Sequence, residues 1–466
     1  MKTENSCLLL RPLALLAALS LTASLPAIAQ DGSVQTAVPG QPRGPSYTRE
    51  ELAPPPDIPN PPKSWIDPDT GHRVLRLSDE PGSDSFYFNF NAFTPDGKEM
   101  IYTTSDGNIR VLNLDTMTTK GVASGITRAI VVGHKTPTIY YTKFATADND
   151  PYFLSLWAAN IDTGENRKIT DLPRRASVVT INADETLGAG SYIEGDAVGP
   201  GVYGGAGKNG ATQNSMGAKN LGEPVTKGRD MESRLQAKLP VTLFNVNLQT
   251  GAITKLIEHS TDWLNHFQFS PTDPTLLMYC HEGAWQKVDR IWTIRTDGTQ
   301  NQLIHKRIMQ NEIAGHEWWG SDGKTLWYQL SLPSGVQDAG YIAGYNLETH
   351  ERTWYHQNRD SGSIHHNISP DGKIFCGDGN FRNPWIVLCY PVLNPDRSTL
   401  GTDLIKGGSL RIERLVNMQK TAIHNAQNYR LEPNPMFTPD QKYVVFRSNI
   451  FGPDYAFAVE VAKASP

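Results

Sequence analysis

The sequence predicts an all-β protein, a seven-bladed β-propeller of four-stranded antiparallel blades with almost no helix. Three observations predict it. An apolar strand running into a Ser/Thr-Pro-Asp-Gly type turn, then a second alternating strand, recurs seven times. A second turn phrase recurs between these units. Most units return after roughly forty to fifty residues, the period of a propeller blade.

In chain order the first phrase reads "AFTPDGKEMIYTT", "VVGHKTPTIYYTK", "TINADETLGAGSY", "QFSPTDPTLLMYC", "WWGSDGKTLWYQL", "NISPDGKIFCGDG" and "MFTPDQKYVVFRS". Pro and Gly set the turn geometry, and Asp caps the turn with its own side chain. The second phrase reads "LNLDTMTT", "ANIDTGENRKI", "VNLQTGAITKL", "IRTDGTQNQLI" and "YNLETHERTWY". Two turns per unit with alternating strands between them describe a meander. One interval is nearly twice the usual length and holds a Gly-rich insertion at about 194–234. Long insertions in a rigid scaffold are functional loops or excursions without chemistry, and the composition fits both.

The first residues read as a secretory signal over 1–29: Lys2 and Arg11 precede or flank the apolar "PLALLAALSLTASLPAIA", and Ala27-Ile28-Ala29 offers a cleavage site. Residues 30–62 have Pro/Gly-rich linker composition, and the propeller is expected over 63–466. No later segment is long and apolar enough to span a bilayer, so no membrane association is expected after signal cleavage. The expectation is a periplasmic or secreted monomer. Net charge is −5 with both signs mixed and no long basic run, which argues against nucleic acid as a partner. After the signal the chain keeps Cys280, Cys376 and Cys389, an odd count without Cys-x-x-Cys spacing. Buried free thiols are expected rather than a disulfide framework or a zinc site, although a Cys376–Cys389 bridge fits if those strands pair.

Chemistry concentrates between Trp263 and Trp319, in "WLNHFQFSPTDPTLLMYCHEGAWQKVDRIWTI" and "EIAGHEWWGSDGKTLWY". His266, His281 and His316 each open or close a strand beside a turn, where imidazoles on successive blades can converge on one channel mouth as bases or metal ligands, or can hydrogen-bond to a neighbouring blade. Trp285, Trp318 and Trp319 suit stacking on a sugar ring or packing in the blades.

These stretches resemble the oligogalacturonate lyases, pectin-degrading polysaccharide lyases built on a seven-bladed propeller. "DPDTGHRVLRLSDEPGSDSFYFNFNAFTPDGK" and the final "FTPD" with "VVFRSN" extend the resemblance over about residues 65–455. It implies β-elimination on an acidic, uronate-containing oligosaccharide. A base removes the proton beside the carboxylate while a metal or guanidinium neutralises that carboxylate. In that family a histidine is the base, an arginine assists, and histidines with a glutamine hold a manganese-type metal.

By resemblance His266 matches the base and His316 the first metal ligand. The remaining family ligands lie in a Gln-x-x-His-Pro-His-Pro phrase. Here the phrase is "YRLEPNP", with Tyr429, Glu432 and Asn434 at those places and Thr242 where the assisting arginine aligns. Glu432 and Asn434 are oxygen donors suited to manganese, calcium or magnesium. Glu432 paired with a neighbouring arginine such as Arg430, with no metal, fits equally. Arg234 and Lys238 are candidates for the missing cation. His281, His365, His424, Gln427, Tyr429 and Trp318 are candidates for substrate contact or for support of the ligands. A non-catalytic TolB-like propeller that binds a protein or carbohydrate stays open, since its turn repeats look alike. No Gly-x-Ser-x-Gly elbow points to a hydrolase.

Overall fold

The computed structural model describes residues 58–195, 227–333, 340–358, 362–380, 383–400, 403–418 and 431–464. The expected signal segment, the linker up to residue 57, insertion residues 196–226, and His424, Gln427 and Tyr429 lie outside them. The end of the expected linker is held by the fold: Ile58 N–H donates to the Phe451 carbonyl (3.0 Å), and Arg76 donates to the carbonyls of Pro61 and Pro62.

The repeated turns form as their chemistry requires. Thr94 donates its N–H to the Glu99 carbonyl (3.0 Å) and its hydroxyl to Asp96 (2.7 Å). Ser369 with Asp371 and Thr438 with Asp440 repeat this pairing at 2.6 and 2.7 Å. The fourth turn residue takes a left-handed backbone, which Gly97 and Gly372 do at φ 72°. In the last repeat Gln441 takes it at φ 60°, a strain a Cβ does not relieve.

Six sheets contain the described strands, nearly all antiparallel. Three are four-stranded meanders, starting from Arg128–Val132, Ser177–Ile181 and Trp263–Phe269. A three-stranded sheet begins at Glu99–Thr103, with Phe93 bridging Met100. In an eight-stranded sheet, two four-stranded antiparallel groups starting at Ile313–Trp319 and His366–Ile368 join through parallel pairing of Arg352–Gln357 with Asp403–Asn417. The last sheet is closed by both ends of the described chain. His72–Arg76 pairs with Tyr455–Lys463, which follows Met436–Phe437 and Tyr443–Ser448. This closure lays Trp65 against Phe451 and Phe457 and buries Val74, Phe446 and Phe457 together.

The fold is all-β and propeller-like, with one α-helix, Lys227–Ala237, among the described residues. The Gly-rich insertion is the hairpin connection between Leu187–Ile193 and Val241–Asn247, whose ends pair as Ile193 with Val241. Because Ser191 pairs with Ser177 at the start of its sheet's first strand, the insertion leaves at the end opposite the repeated turns. Cys280, Cys376 and Cys389 are buried free thiols.

Replacing Gln441 by Gly removes the strain of its left-handed backbone. Denaturant unfolding is expected to show a gain of about 0.5–1 kcal/mol. Gly97→Ala, whose Cβ would come within 3.0 Å of Pro439, is expected to lose stability.

Candidate functional site

The first strands of the sheets end at the turn residues Thr94, Gly133, Asn182, Ser270, Gly320, Ser369 and Thr438. Four residues before each of these stand Phe90, Ala129, Val178, His266, His316, His365 and Asn434. Four neighbouring units therefore present His, His, His and Asn at one structural position. His266, His316 and Asn434 take φ of 50°, 49° and 51°, left-handed values uncommon for these residues. The strands of His266 and His316 bulge there, between Asn265 and Gln268 and between Gly315 and Trp318. A bulge re-aims the side chain it carries, here away from the strand alternation.

His266 Nε2 lies 2.8 Å from Glu282 Oε2. Burial by itself would raise the Glu282 carboxyl, but Arg290 beside it and the His266 hydrogen bond hold it well below the usual range. Glu282 is thus an ionised acceptor, so Nε2 of His266 carries the hydrogen and Nδ1 is the basic nitrogen of the neutral ring. Arg290 also reaches Glu317 at 3.3 Å, and Trp285 Nε1 donates to Glu282 at 3.0 Å. Gly315 lies against this guanidinium, where a Cβ would stand in ordinary contact, 3.4 Å from Arg290 Nε.

The second group centres on His365. Its ring lies 4.7 Å from that of His316, and its Nε2 lies 3.9 Å from Glu432 Oε2. Asp378 accepts from His365 Nδ1 (2.6 Å) and from the backbone N–H groups of Ile364 and His365. That leaves the Nε2 lone pair facing Glu432, the orientation in which a carboxylate presents a metal-binding imidazole. Asn434 Nδ2 donates to the Glu432 carbonyl (2.9 Å), which also accepts from Arg447 Nε. His365 Nε2 and Asn434 Oδ1 are buried and have no hydrogen-bond partner among the described residues. Two imidazoles, a carboxylate and an amide oxygen make a donor set fit for a divalent cation. Among the described residues the three His, Cys or carboxylate groups whose ligand atoms lie within 4.8 Å of one another are His266, Cys280 and Glu282, but Arg290 against Glu282 opposes a cation there.

The other residues singled out from sequence are engaged elsewhere. Arg234 is buried with its guanidinium over Trp263, 5.2 Å from the ring centroid. Lys238 is exposed and lies 3.7 Å from Asp262, which also approaches His281 Nδ1 at 3.6 Å. His281 stacks on Trp292, and burial lowers its pKa. Trp318 is buried and stacks on His366, whose pKa burial pushes down to about 4. Thr242 donates to Glu194 (2.6 Å). Sequence reasoning overlooked Glu282, Arg290, Glu317 and Asp378. Glu282 and Glu317 sit inside the very phrases "CHEG" and "GHEWW", and counting back from the turns would have aligned His365 with His266 and His316.

The sequence matches the model of the oligogalacturonate lyase family over residues 57–465. The oligogalacturonate lyase of Dickeya dadantii is 23% identical over 431 residues, covering 85% of this chain and 95% of that protein. The oligogalacturonide lyase of Pectobacterium atrosepticum is 28% identical over 238 residues, 47% of this chain and 55% of that one. Among solved structures, an oligogalacturonate lyase in complex with manganese superposes with a TM-score of 0.66 at 22% identity, covering 86% of this chain and 96% of its own. The oligogalacturonate lyase of Vibrio parahaemolyticus gives 0.64 at 20% identity with the same coverage. With a family match running from the first closing strand to the last, this chain belongs to the oligogalacturonate lyase family.

Proposed function

We propose that the chain is an exported, monomeric lyase that cleaves uronate-containing oligosaccharides by β-elimination, on a propeller of seven blades. The observation that carries the reaction is the pairing of His266 with an ionised Glu282 beside the His316, His365, Glu432 and Asn434 group. Repetition of the turn phrase supports the blade count, with the eight-stranded sheet read as two blades. The signal-like N-terminus supports delivery to the periplasm or beyond.

In this reading His266 Nδ1 takes the proton from the carbon beside the substrate carboxylate, and the glycosidic oxygen departs from the adjacent carbon. Glu282 keeps the opposite ring nitrogen protonated and holds the ring in place, and Arg290 keeps Glu282 ionised. His316, His365, Glu432 and Asn434 would hold a divalent cation, manganese before calcium or magnesium. Such a cation, when bound, would neutralise the carboxylate and so acidify the neighbouring C–H bond. The name of the manganese-bound relative supports this choice. Trp285, in edge contact with His316 at 5.0 Å, bounds the site on the side of Glu282.

Oligogalacturonides incubated with the protein and manganese are expected to yield absorbance near 235 nm, from the unsaturated product, and none with a chelator. His266→Asn is expected to lower that rate by about 10²–10⁴-fold. Absence of product from every uronide tested, with the protein folded, would refute the lyase. Added manganese is expected to raise the melting temperature of the metal-stripped wild type. His365→Ala and Glu432→Ala should lose that shift and His281→Ala should keep it. An undiminished shift in the first two would remove them from the metal site.

A further inference from the structure

Arg128 opens the strand Arg128–Val132, one residue before the position that His266 and His316 hold in theirs. Its strand also carries a bulge near this position, between Ala129 and Val131, though without the left-handed residue of the histidine strands. The guanidinium carbon lies 5.7 Å from the Phe90 ring centroid. Phe90 itself occupies the histidine position in its own unit. From Phe90 a row of rings leads across the same end of the molecule. Tyr87 follows at 6.1 Å, His365 at 5.5 Å from Tyr87, and His316 at 4.7 Å from His365.

The electrostatics of Arg128 are unusual for this protein. Arg290 and Arg447 each face a carboxylate. Arg128 makes no ion pair or side-chain hydrogen bond among the described residues, although the surrounding protein desolvates it enough to bring its pKa down to about 10. It is not sealed off: its side chain keeps partial exposure. A desolvated guanidinium without a counter-charge weakens the fold, and such groups are retained where an anion completes them. The cations considered from sequence do not share this character, since Arg234 lies on Trp263 and Lys238 beside Asp262.

We propose that Arg128 binds the carboxylate of a second uronate residue, across the mouth from His266, and thereby selects acidic over esterified sugars. The proposal rests on the uronide-lyase reading and adds a subsite to it. An Arg fork matches a carboxylate with two parallel hydrogen bonds. The apolar neighbours Phe90, Ala129 and Val178 leave that half of the mouth without a competing acid at the repeated position.

The test is calorimetric binding of digalacturonate and of its methyl ester in the His266→Asn background with manganese present. Arg128→Gln is expected to lose at least tenfold in affinity for the acid, and Arg128→Lys less. Affinity for the ester should change by under twofold in both. The melting temperature of Arg128→Gln without ligand should hold or rise, because an unpaired desolvated cation has been removed. Acid affinity within twofold of the parent, or an unchanged acid-to-ester preference, would overturn the proposal, as would failure of the parent to bind any uronate. A fall of several degrees in melting temperature with unchanged affinity would also overturn it, making Arg128 a packing residue. Product absorbance is read separately on protein with His266 intact. Arg128-dependent binding without product would remove the lyase reading and keep the carboxylate subsite.

Discussion

Arg290 is the charge on which the site depends. It is buried between Glu282 and Glu317, from two different sheets, so one guanidinium joins the strand paired with that of His266 to the strand that carries His316. Removing Arg290 would leave two buried carboxylates without their counter-charge, a loss of about 3–5 kcal/mol in comparable cases. The pairing reaches further through the backbone. The Glu317 carbonyl accepts from Gln268 and Asn89, which brings a third strand and the first unit's entry segment to the same centre. One positive charge between two negative ones leaves a net negative cluster, and His266 Nε2 is the ring nitrogen that faces it.

Around this centre the molecule uses one backbone device several times. The bulge with a left-handed residue recurs beside His266 and His316, and Asn434 shares the same φ without a histidine's ring. Such backbone costs on the order of 1 kcal/mol or more for a residue with a Cβ. It persists because strand pairing on both sides over-determines it. The result divides the repeated position into two arcs. One carries His266, His316, His365 and Asn434, and the other carries Phe90, Ala129 and Val178 with Arg128 alongside. On the proposed reading, an acidic sugar chain lying between them would meet His266 and the oxygen and nitrogen donors on one side and a cation over an apolar wall on the other.

Much of the fold was legible because turn chemistry is local. Thr94 with Asp96 and Ser369 with Asp371 need only neighbours two residues away, so the phrases announce the turns and the strands between them. The eight-stranded sheet was not legible. The parallel pairing of Arg352–Gln357 with the long strand Asp403–Asn417 depends on how two meanders lie in space. The site was legible in part for the same reason. His266 and His316 stand in distinctive phrases, and His365 stands at the matching distance from its own turn. Asp378, which orients His365, stands near the end of the phrase "NISPDGKIFCGDG", but only the strand pairing that brings it back beside His365 gives it that role. Arg128 lies in the unremarkable "ITRAIVV", where nothing marks it apart from an ordinary surface arginine.

The sequence by itself determined an all-β repeat, its turn positions, the family, and the residue types that line one end of each unit. These follow from interactions within a few residues and from short distinctive phrases. Only the tertiary structure decided which charges are satisfied. It assigned Glu282 to His266, drew Arg290 between two carboxylates, laid Arg234 on Trp263, and left Arg128 desolvated with no acid paired to it among the described residues. Charge pairing and desolvation depend on distances between residues far apart in the chain, and no local pattern encodes those distances.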